Sequence, residues 1–578
     1  MRSRRLNECL LTRRHFVKAT LGVAAWFGGR RSFGRPGEAV SPFLDVTAAA
    51  GIHFKHQRGA SEKKHILETF GSGCAFLDYD NDGWLDILLI NGGFMPDSPK
   101  TEPLRNHALY RNMRNGKFED VTARAGITGN GSYGSGVIVA DYDNDGFPDI
   151  YITNYGPNIL YHNNGDGTFT DVTEQAGIAG DSSSWSTSAA FFDYNNDGYL
   201  DLYVANYVDY HYDDPVCLDK GIRGYCHPRN FRGKASKLYR NLGNGRFQDV
   251  SEESGIGKLE GKGLGVVAAD FDDDGWMDLF VANDGMANFL FKNNRDGTFT
   301  DVGLVSGVAY TSEGVAQANM GVDAGDYDGD GLLDILVGTY DLETNAVYRN
   351  HGEWVFSDER WSSGVAKTDH NFLTFGVGFL DYDNDGDKDI FLVNGHVVDN
   401  IELMRETLTY AQPCQLLENR GGKFVENLDF LKYSSLSPKV GRGLAIGDID
   451  NDGALDLLVS TSGQEPSLLI NQVGRKNNWV LLKLIGTKSN RDAVGAKIVV
   501  TTENATQTDQ ITGGASYLSA SDLRVHFGLG SSEIIKTLKI LWPSGAGDVF
   551  REVKANRILS IREGARKYEV QYPQRPSL

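Results

Sequence analysis

The chain has no apolar stretch long enough to cross a bilayer as a helix, which takes about 20 residues. Its longest such run near the start extends only from Ala19 to Phe27. The mature chain is therefore expected to have no integral membrane segment. There is no G-x-S-x-G elbow, no H-E-x-x-H pair and no phosphate loop. The familiar serine-hydrolase, zinc-peptidase and nucleotide-binding chemistries thus have no motif to rest on. Basic residues form no cluster in the C-terminal part, which argues against a nucleic-acid partner. Cysteine is scarce, with five residues and no compact zinc spacing.

Glycine and acid are abundant. Among 578 residues there are 69 glycines, the signature of many short strands joined by turns. The formal net charge is −20, unevenly spread: residues 1–37 carry +8, residues 475–578 carry +7, and the stretch between them carries −35. A compact unit that acidic repels itself, and bound cations are the natural compensation. The first residues read as an address. Arg13 and Arg14 with Phe16, followed by the short apolar run, form a twin-arginine-type export signal over residues 1–40. The expected location is periplasmic or extracellular.

Three phrases recur in fixed order. The first is F-x-D-V-T-x-x-A-G-I, as in FLDVTAAAGI at 43–52 and FEDVTARAGI at 118–127. The second is D-x-D-x-D-G-x-x-D. The third is L-Y-R-N, as at 109–112. The acidic phrases begin at Asp78, Asp141, Asp193, Asp270, Asp326, Asp381 and Asp448, spaced 63, 52, 77, 56, 55 and 67 residues apart. Each interval holds one four-stranded sheet, and short apolar β-formers flank each acidic phrase. The pattern predicts an all-β chain: a seven-bladed β-propeller over 41–474, a small β-sandwich or barrel-like domain over 475–567 and a tail over 568–578. An open solenoid is the competing layout. FLDVT at 43–47 has no acidic phrase before it, so it is expected to supply a strand to the last blade and close the ring.

The acidic loops are expected to bind calcium. Side chains at positions 1, 3 and 5 converge when the chain curls, glycine at 6 permits the turn, position 7 offers a carbonyl and position 9 a further carboxylate. This gives hard oxygens in the number Ca²⁺ prefers. The expected ligands are Asp78, Asp80, Asp82, Trp84 and Asp86; Asp141, Asp143, Asp145, Phe147 and Asp149; and Asp193, Asn195, Asp197, Tyr199 and Asp201. They continue with Asp270, Asp272, Asp274, Trp276 and Asp278, and with Asp326, Asp328, Asp330, Leu332 and Asp334. Asp381, Asp383, Asp385, Asp387 and Asp389, and Asp448, Asp450, Asp452, Ala454 and Asp456, complete the set. About seven structural Ca²⁺ per chain follow.

These loops resemble the FG-GAP/VCBS repeats of integrin-α propellers. NRDAVGAKI at 490–498, GGASYLSASDLRVHFGLG at 513–530 and LWPSG at 541–545 resemble the ASPIC/UnbV domain. Together the two resemble the bacterial cartilage-acidic-protein-like family, over about 43–565. The resemblance implies calcium binding and export, and supplies no enzymatic activity. NGH at 394–396 resembles a family string as well, and its plain reading is a turn after a strand.

The longest spacer, 206–233, lies outside the repeat. Cys217 and Cys226 within it are expected to form a disulfide in an oxidising compartment, the alternative being a metal site with His211 and His227. Tyr207, Tyr210, Tyr212, Tyr225, Arg223 and Arg229 give it the composition of a binding loop, against the plainer reading of a stapled surface loop. Cys74 reads as a buried thiol. The basic tail domain either docks on the acidic propeller or binds a polyanion. The expected role is binding or adhesion to a protein or glycan. The alternative is a calcium-stabilised polysaccharide lyase, hydrolase or oxidoreductase with its site at the channel mouth, which a funnel of His, Tyr, Arg and carboxylates of perturbed pKa would favour.

Overall fold

The computed structural model describes residues 41–571 apart from 101, 102, 104–106, 220, 369, 370 and 435. The export signal with Arg13, Arg14 and Phe16 lies outside the described residues. The third phrase forms the third strand of each sheet, the first phrase the outermost strand, and the acidic phrase the loop between the first two strands. In the first blade these are Cys74–Leu77, Asp86–Leu89, Ala108–Asn112 and Phe118–Asp120. Seven four-stranded antiparallel sheets repeat this order. The last sheet takes its outer strand from the chain start: Phe43–Asp45 pairs with Ser467–Asn471, Phe43 opposite Asn471. The inner strand Cys74–Leu77 lies against both Tyr133–Ala140 and Gly441–Gly447, so the ring closes and the solenoid is excluded. Every blade is sandwiched between two others, so strands such as Asp201–Asn206 are buried throughout. That two-sided burial is why they read as continuous apolar runs rather than alternating ones.

Two sets of side chains stitch the ring. The asparagine ending each third phrase reaches the preceding blade: Asn163 Nδ2 donates to the Tyr79 carbonyl at 2.8 Å, and Asn112 Nδ2 to that of Ile449 at 3.0 Å, across the closure. Asn241, Asn293, Asn350, Asn419 and Asn471 make the equivalent bonds to Tyr142, Tyr194, Phe271, Tyr327 and Tyr382. The fourth residue of five of the acidic loops, an asparagine, works the other way. Asn81 donates to the Gly146 carbonyl of the next loop at 2.7 Å, and Asn451 to that of Gly83 at 2.9 Å. This position is left-handed (Asn81 φ 53°, Asn144 φ 62°, Gly329 φ 76°), so only Asn, Asp and Gly occupy it. Where the fourth loop has Asp273 instead, Lys497 of the tail domain fills the gap, reaching Asp273 at 2.6 Å and the Gly331 carbonyl of the fifth loop at 3.1 Å.

Residues 478–571 form two further four-stranded sheets, in one of which Asn478–Ile485 and Arg557–Arg562 run parallel. This domain sits on the acidic-loop face, so its basic residues dock on the propeller. Its segment 513–522 enters the channel and hydrogen-bonds the inner strands. The Ala520 N–H donates to the Cys74 carbonyl and its own carbonyl accepts from Phe76 N–H; Gly513 pairs with Ala268 and Ser516 with Val322 in the same reciprocal way. Val137 N–H donates to the Leu518 carbonyl at 3.0 Å. A side chain on Gly73, just before the first inner strand, or on Gly443 of the last would collide with this segment, which explains glycine at those positions. Among the described residues no helix is long and apolar enough to cross a membrane.

Candidate functional site

Each acidic loop is ordered by its own backbone. In the first, Asp78 accepts the N–H groups of Asp82 and Gly83 at 2.9 and 3.0 Å, and Asp82 accepts that of Trp84 at 3.0 Å. Asp86 accepts the N–H groups of Tyr79 and Asn112 at 3.2 and 2.7 Å, which ties the ninth position to the stitching asparagine. Gly83 takes φ 84°, the turn expected of position 6. In the loops beginning at Asp78, Asp141, Asp270 and Asp326, the first, third and ninth side chains each bring one oxygen to within 4.8 Å of the others.

The electrostatics call for a cation. Burial, with neighbouring carboxylates adding to it, pushes Asp78 up to about 6, Asp334 to about 9 and Asp448 to about 7, and holds Asp86, Asp201, Asp278, Asp389 and Asp456 well above the usual carboxylate range. Oxygens at the third position, Asp80 Oδ1, Asp272 Oδ1 and Asp450 Oδ1, are buried with no hydrogen-bond partner. An oxygen-rich, acid-crowded pocket with orphaned acceptors fits a hard divalent ion. Basic side chains from the third strand approach the same carboxylates: Arg111 lies 2.6 Å from Asp80 and Arg349 3.0 Å from Asp330.

The opposite face carries a second candidate site that no repeat encodes. The spacer folds as a short hairpin, Cys217–Asp219 with Ile222–Gly224, closed by the Cys217–Cys226 disulfide. The bonded sulfurs leave no thiolate for the alternative metal site. Tyr207 and Tyr210 are correctly placed in the spacer but not free for contacts, as expected of a binding loop: both are buried in an aromatic cluster with Phe70 and Trp185. Tyr517 of the tail domain belongs to the same cluster. Tyr225 is held by Glu68, Arg58 and Asp399. The insertion is thus a structural roof as well as a stapled loop.

Beneath that roof lies a cavity of 660 Å³. The hairpin and Pro228–Asn230 cover it, Ile66, Phe70 and Met320 form its apolar floor, and Asp284, Tyr340, Glu343 and Arg405 line the side. Burial pushes the Asp284 carboxyl up to about 6 against the Tyr207 hydroxyl that donates to it. Burial, then the charges of Asp284 and Asp341, push Glu343 up to about 7 against the Ala318 N–H, which donates to its Oε2 at 2.8 Å. Arg405 is aimed by Asp341, to which its Nη1 donates at 2.8 Å, and His396 Nε2 lies 3.3 Å from the same carboxylate. His396, the histidine of NGH, is fully buried and positions this anchor, beyond the plain turn that the string suggested. Asp284, Glu343 and Arg405 sit in ordinary inter-strand loops. Only the topology brings them together.

Comparison with known proteins gives consistent matches. A family model described as FG-GAP-like repeat matches residues 78–152, 141–204, 230–281, 270–337 and 326–392. One described as ASPIC and UnbV matches 486–568. Cartilage acidic protein 1 of Xenopus tropicalis is 27% identical over 532 residues, covering 86% of this chain and 74% of that protein. The Homo sapiens protein of the same name is 26% identical over 513 residues, covering 85% and 71%. Among solved structures, the BP39L lectin from Burkholderia pseudomallei aligns with a TM-score of 0.43 at 10% identity, over 69% of this chain and 96% of that one.

Proposed function

The chain belongs to the FG-GAP-like repeat family and carries an ASPIC and UnbV domain, and on that footing we propose that it is an exported, calcium-loaded β-propeller that binds a protein or glycan ligand in the cavity opposite its acidic loops. The observation that carries this reading is the 660 Å³ cavity. It has the size and the mixture of apolar wall and few convergent polar groups typical of ligand sites. It is roofed by a disulfide-closed insertion and belongs to no repeat. The channel itself is not available, since segment 513–522 fills it from the other face.

Calcium would be held by the first, third, fifth and ninth side chains of each loop, with a carbonyl from the seventh residue. Bound there, it supplies positive charge to carboxylates that otherwise repel one another. Through Asp86 and its counterparts, it braces the asparagine stitches between blades. The division at 474 accords with the first strand of the second pair of sheets at Asn478, whereas Glu569–Gln571 pairs within one of those sheets, past the expected end at 567. Export accords with the disulfide, which persists in oxidising compartments. Replacing Arg13 and Arg14 by Lys is expected to block transport without affecting folding, and normal export of that variant would reject the twin-arginine route.

A second reading is favoured by one observation: Asp284 and Glu343 are carboxyls raised to about 6 and about 7 in one cavity with an arginine, the environment of acid–base catalysts. A glycan and protein array probed with and without calcium separates the readings. A retained, unchanged ligand supports binding. Release of a cleaved product supports an enzyme, and no ligand on either array counts against the cavity as a site.

A further inference from the structure

Two carboxylates in the cavity opposite the acidic loops are left without a cation of their own. Asp284 follows the strand Asp278–Asn283 and pairs with Ala318 in an isolated bridge. Glu343 stands in the turn after the strand Asp334–Thr339, and its Oε2 accepts the N–H of the same Ala318 at 2.8 Å. One backbone position thus brings both side chains to one wall of the 660 Å³ cavity. Asp284 is 3% exposed; its Oδ2 accepts from the Tyr207 hydroxyl, and its Oδ1 accepts no hydrogen bond among the described residues. Glu343 Oε1 is free in the same sense. Other acids on this face are paired, Asp341 with Arg405 at 2.8 Å and Asp399 with Arg58 at 3.0 Å. Lys262, the cation that acts on Asp284, instead donates its Nζ to the Pro228 carbonyl at 2.9 Å. Arg360, which acts on Glu343, is paired with Asp358 at 2.8 Å.

We propose that this cavity binds a primary ammonium group on an apolar stem, seated between Asp284 and Glu343, as a lysine side chain of a peptide or a free alkylamine presents it. The proposal rests on the reading of the cavity as the ligand site and names the chemistry that site selects. A buried carboxylate beside apolar walls is costly unless a cation meets it, so a ligand that brings the charge supplies a partner the chain does not. An ammonium has three donors and no acceptor, which suits two carboxylate oxygens that accept nothing else. The remaining lining suits the stem. Phe70, Met320, Ile401 and Met404 are apolar, and methionine adapts its shape to an unbranched chain. Tyr340, in the same lining, adds an aromatic ring of the kind that attracts cations. Burial leaves Asp284 and Glu343 at about 6 and about 7, and a seated ammonium would lower both, since an opposite charge favours the ionised carboxylate.

The test is calorimetric titration of the full-length protein, in calcium, with Nα-acetyl-lysine amide and with hexylamine. Nα-acetyl-norleucine amide and hexanol are the uncharged controls. Each amine is expected to bind at least about 10-fold more tightly than its control, and Glu343→Gln to weaken the amine by at least about 10-fold. Asp284→Asn, which keeps an acceptor for Tyr207, should weaken it in the same direction, and melting temperatures establish that both variants are folded. Tighter binding of the lysine amide than of hexylamine assigns the ammonium to a peptide, and the reverse order assigns it to a free amine. Equal binding of amines and controls would overturn the proposal, as would amine binding that neither variant weakens. If no amine binds while an array ligand without an amino group is lost by Glu343→Gln, Arg405→Ala, the ammonium is rejected and the cavity stands as the site.

Discussion

The Tyr517 hydroxyl, carried by the C-terminal domain, donates to the Phe70 carbonyl of the propeller at 3.1 Å, after a sequence separation of 447 residues. The ring of Tyr517 is fully buried and lies 4.7 Å from that of Phe375. The tail is therefore part of the propeller's core. Tyr517→Ala should cost about 3–5 kcal/mol, as truncation of a buried aromatic does. Calorimetry of the wild type should show a single transition, and two separate transitions would contradict the shared core.

The stitches predict graded losses. Asn350→Ala removes three side-chain bonds, from Nδ2 to the Phe271 and Leu333 carbonyls at 2.8 and 3.1 Å and from the Gly352 N–H to Oδ1 at 2.9 Å. Urea denaturation should show a loss of about 2–4 kcal/mol. Lys497→Met breaks the tail's substitute for the missing asparagine and should cost less, since Asp273 is half exposed.

Glu563 gives the fold an acid-sensitive joint. Burial opposes its ionisation. The Ser544 hydroxyl and the N–H groups of Lys488, Thr487 and Ser489 outweigh burial and hold its pKa at about 2. The unfolded chain, with the carboxyl at its ordinary 4.5, then binds more protons between pH 4.5 and 2. The contribution of Glu563 is thus complete above pH 4.5 and is lost as pH falls toward 2. Glu563→Gln should be destabilised at pH 7, with the gap to wild type closing in urea melts near pH 2. A gap independent of pH would reject the charge-based account.

Calcium removal should act on the whole ring. Protein dialysed against micromolar calcium is expected to carry about seven ions, one per acidic loop, and chelation should lower the melting temperature substantially because the ligand binds only the folded state. Fewer than four ions per chain would reject the ring-wide reading.

Much of the architecture was legible in the sequence because repetition multiplies weak signals. One D-x-D-x-D-G-x-x-D is ambiguous, whereas copies at Asp78 through Asp448 impose a sheet per interval. Phe43 announced the ring closure. The meaning of the constant asparagines, Asn112 through Asn471, was not legible, since each acts on a blade distant in sequence. Nor was the plug at 513–522, whose only trace is glycine at positions such as Gly73 and Gly443, a signal visible once the neighbours are known. The cavity was hidden for the same reason: Asp284, Glu343 and Arg405 share no motif. Tyr207 and Tyr210, which advertised a binding loop, turned out to be core, because aromatic side chains serve packing and recognition alike, whereas Tyr225 lines the cavity.

Ligand binding is proposed to reside in the cavity beneath the insertion. The most direct measurement compares wild type with the double variant Glu343→Gln, Arg405→Ala on the same calcium-containing glycan and protein arrays, with melting temperatures recorded alongside. The variant is expected to bind the wild-type ligand at least about 10-fold more weakly while melting within a few degrees of wild type. Undiminished binding by the folded variant would contradict it and move the site elsewhere on the molecule.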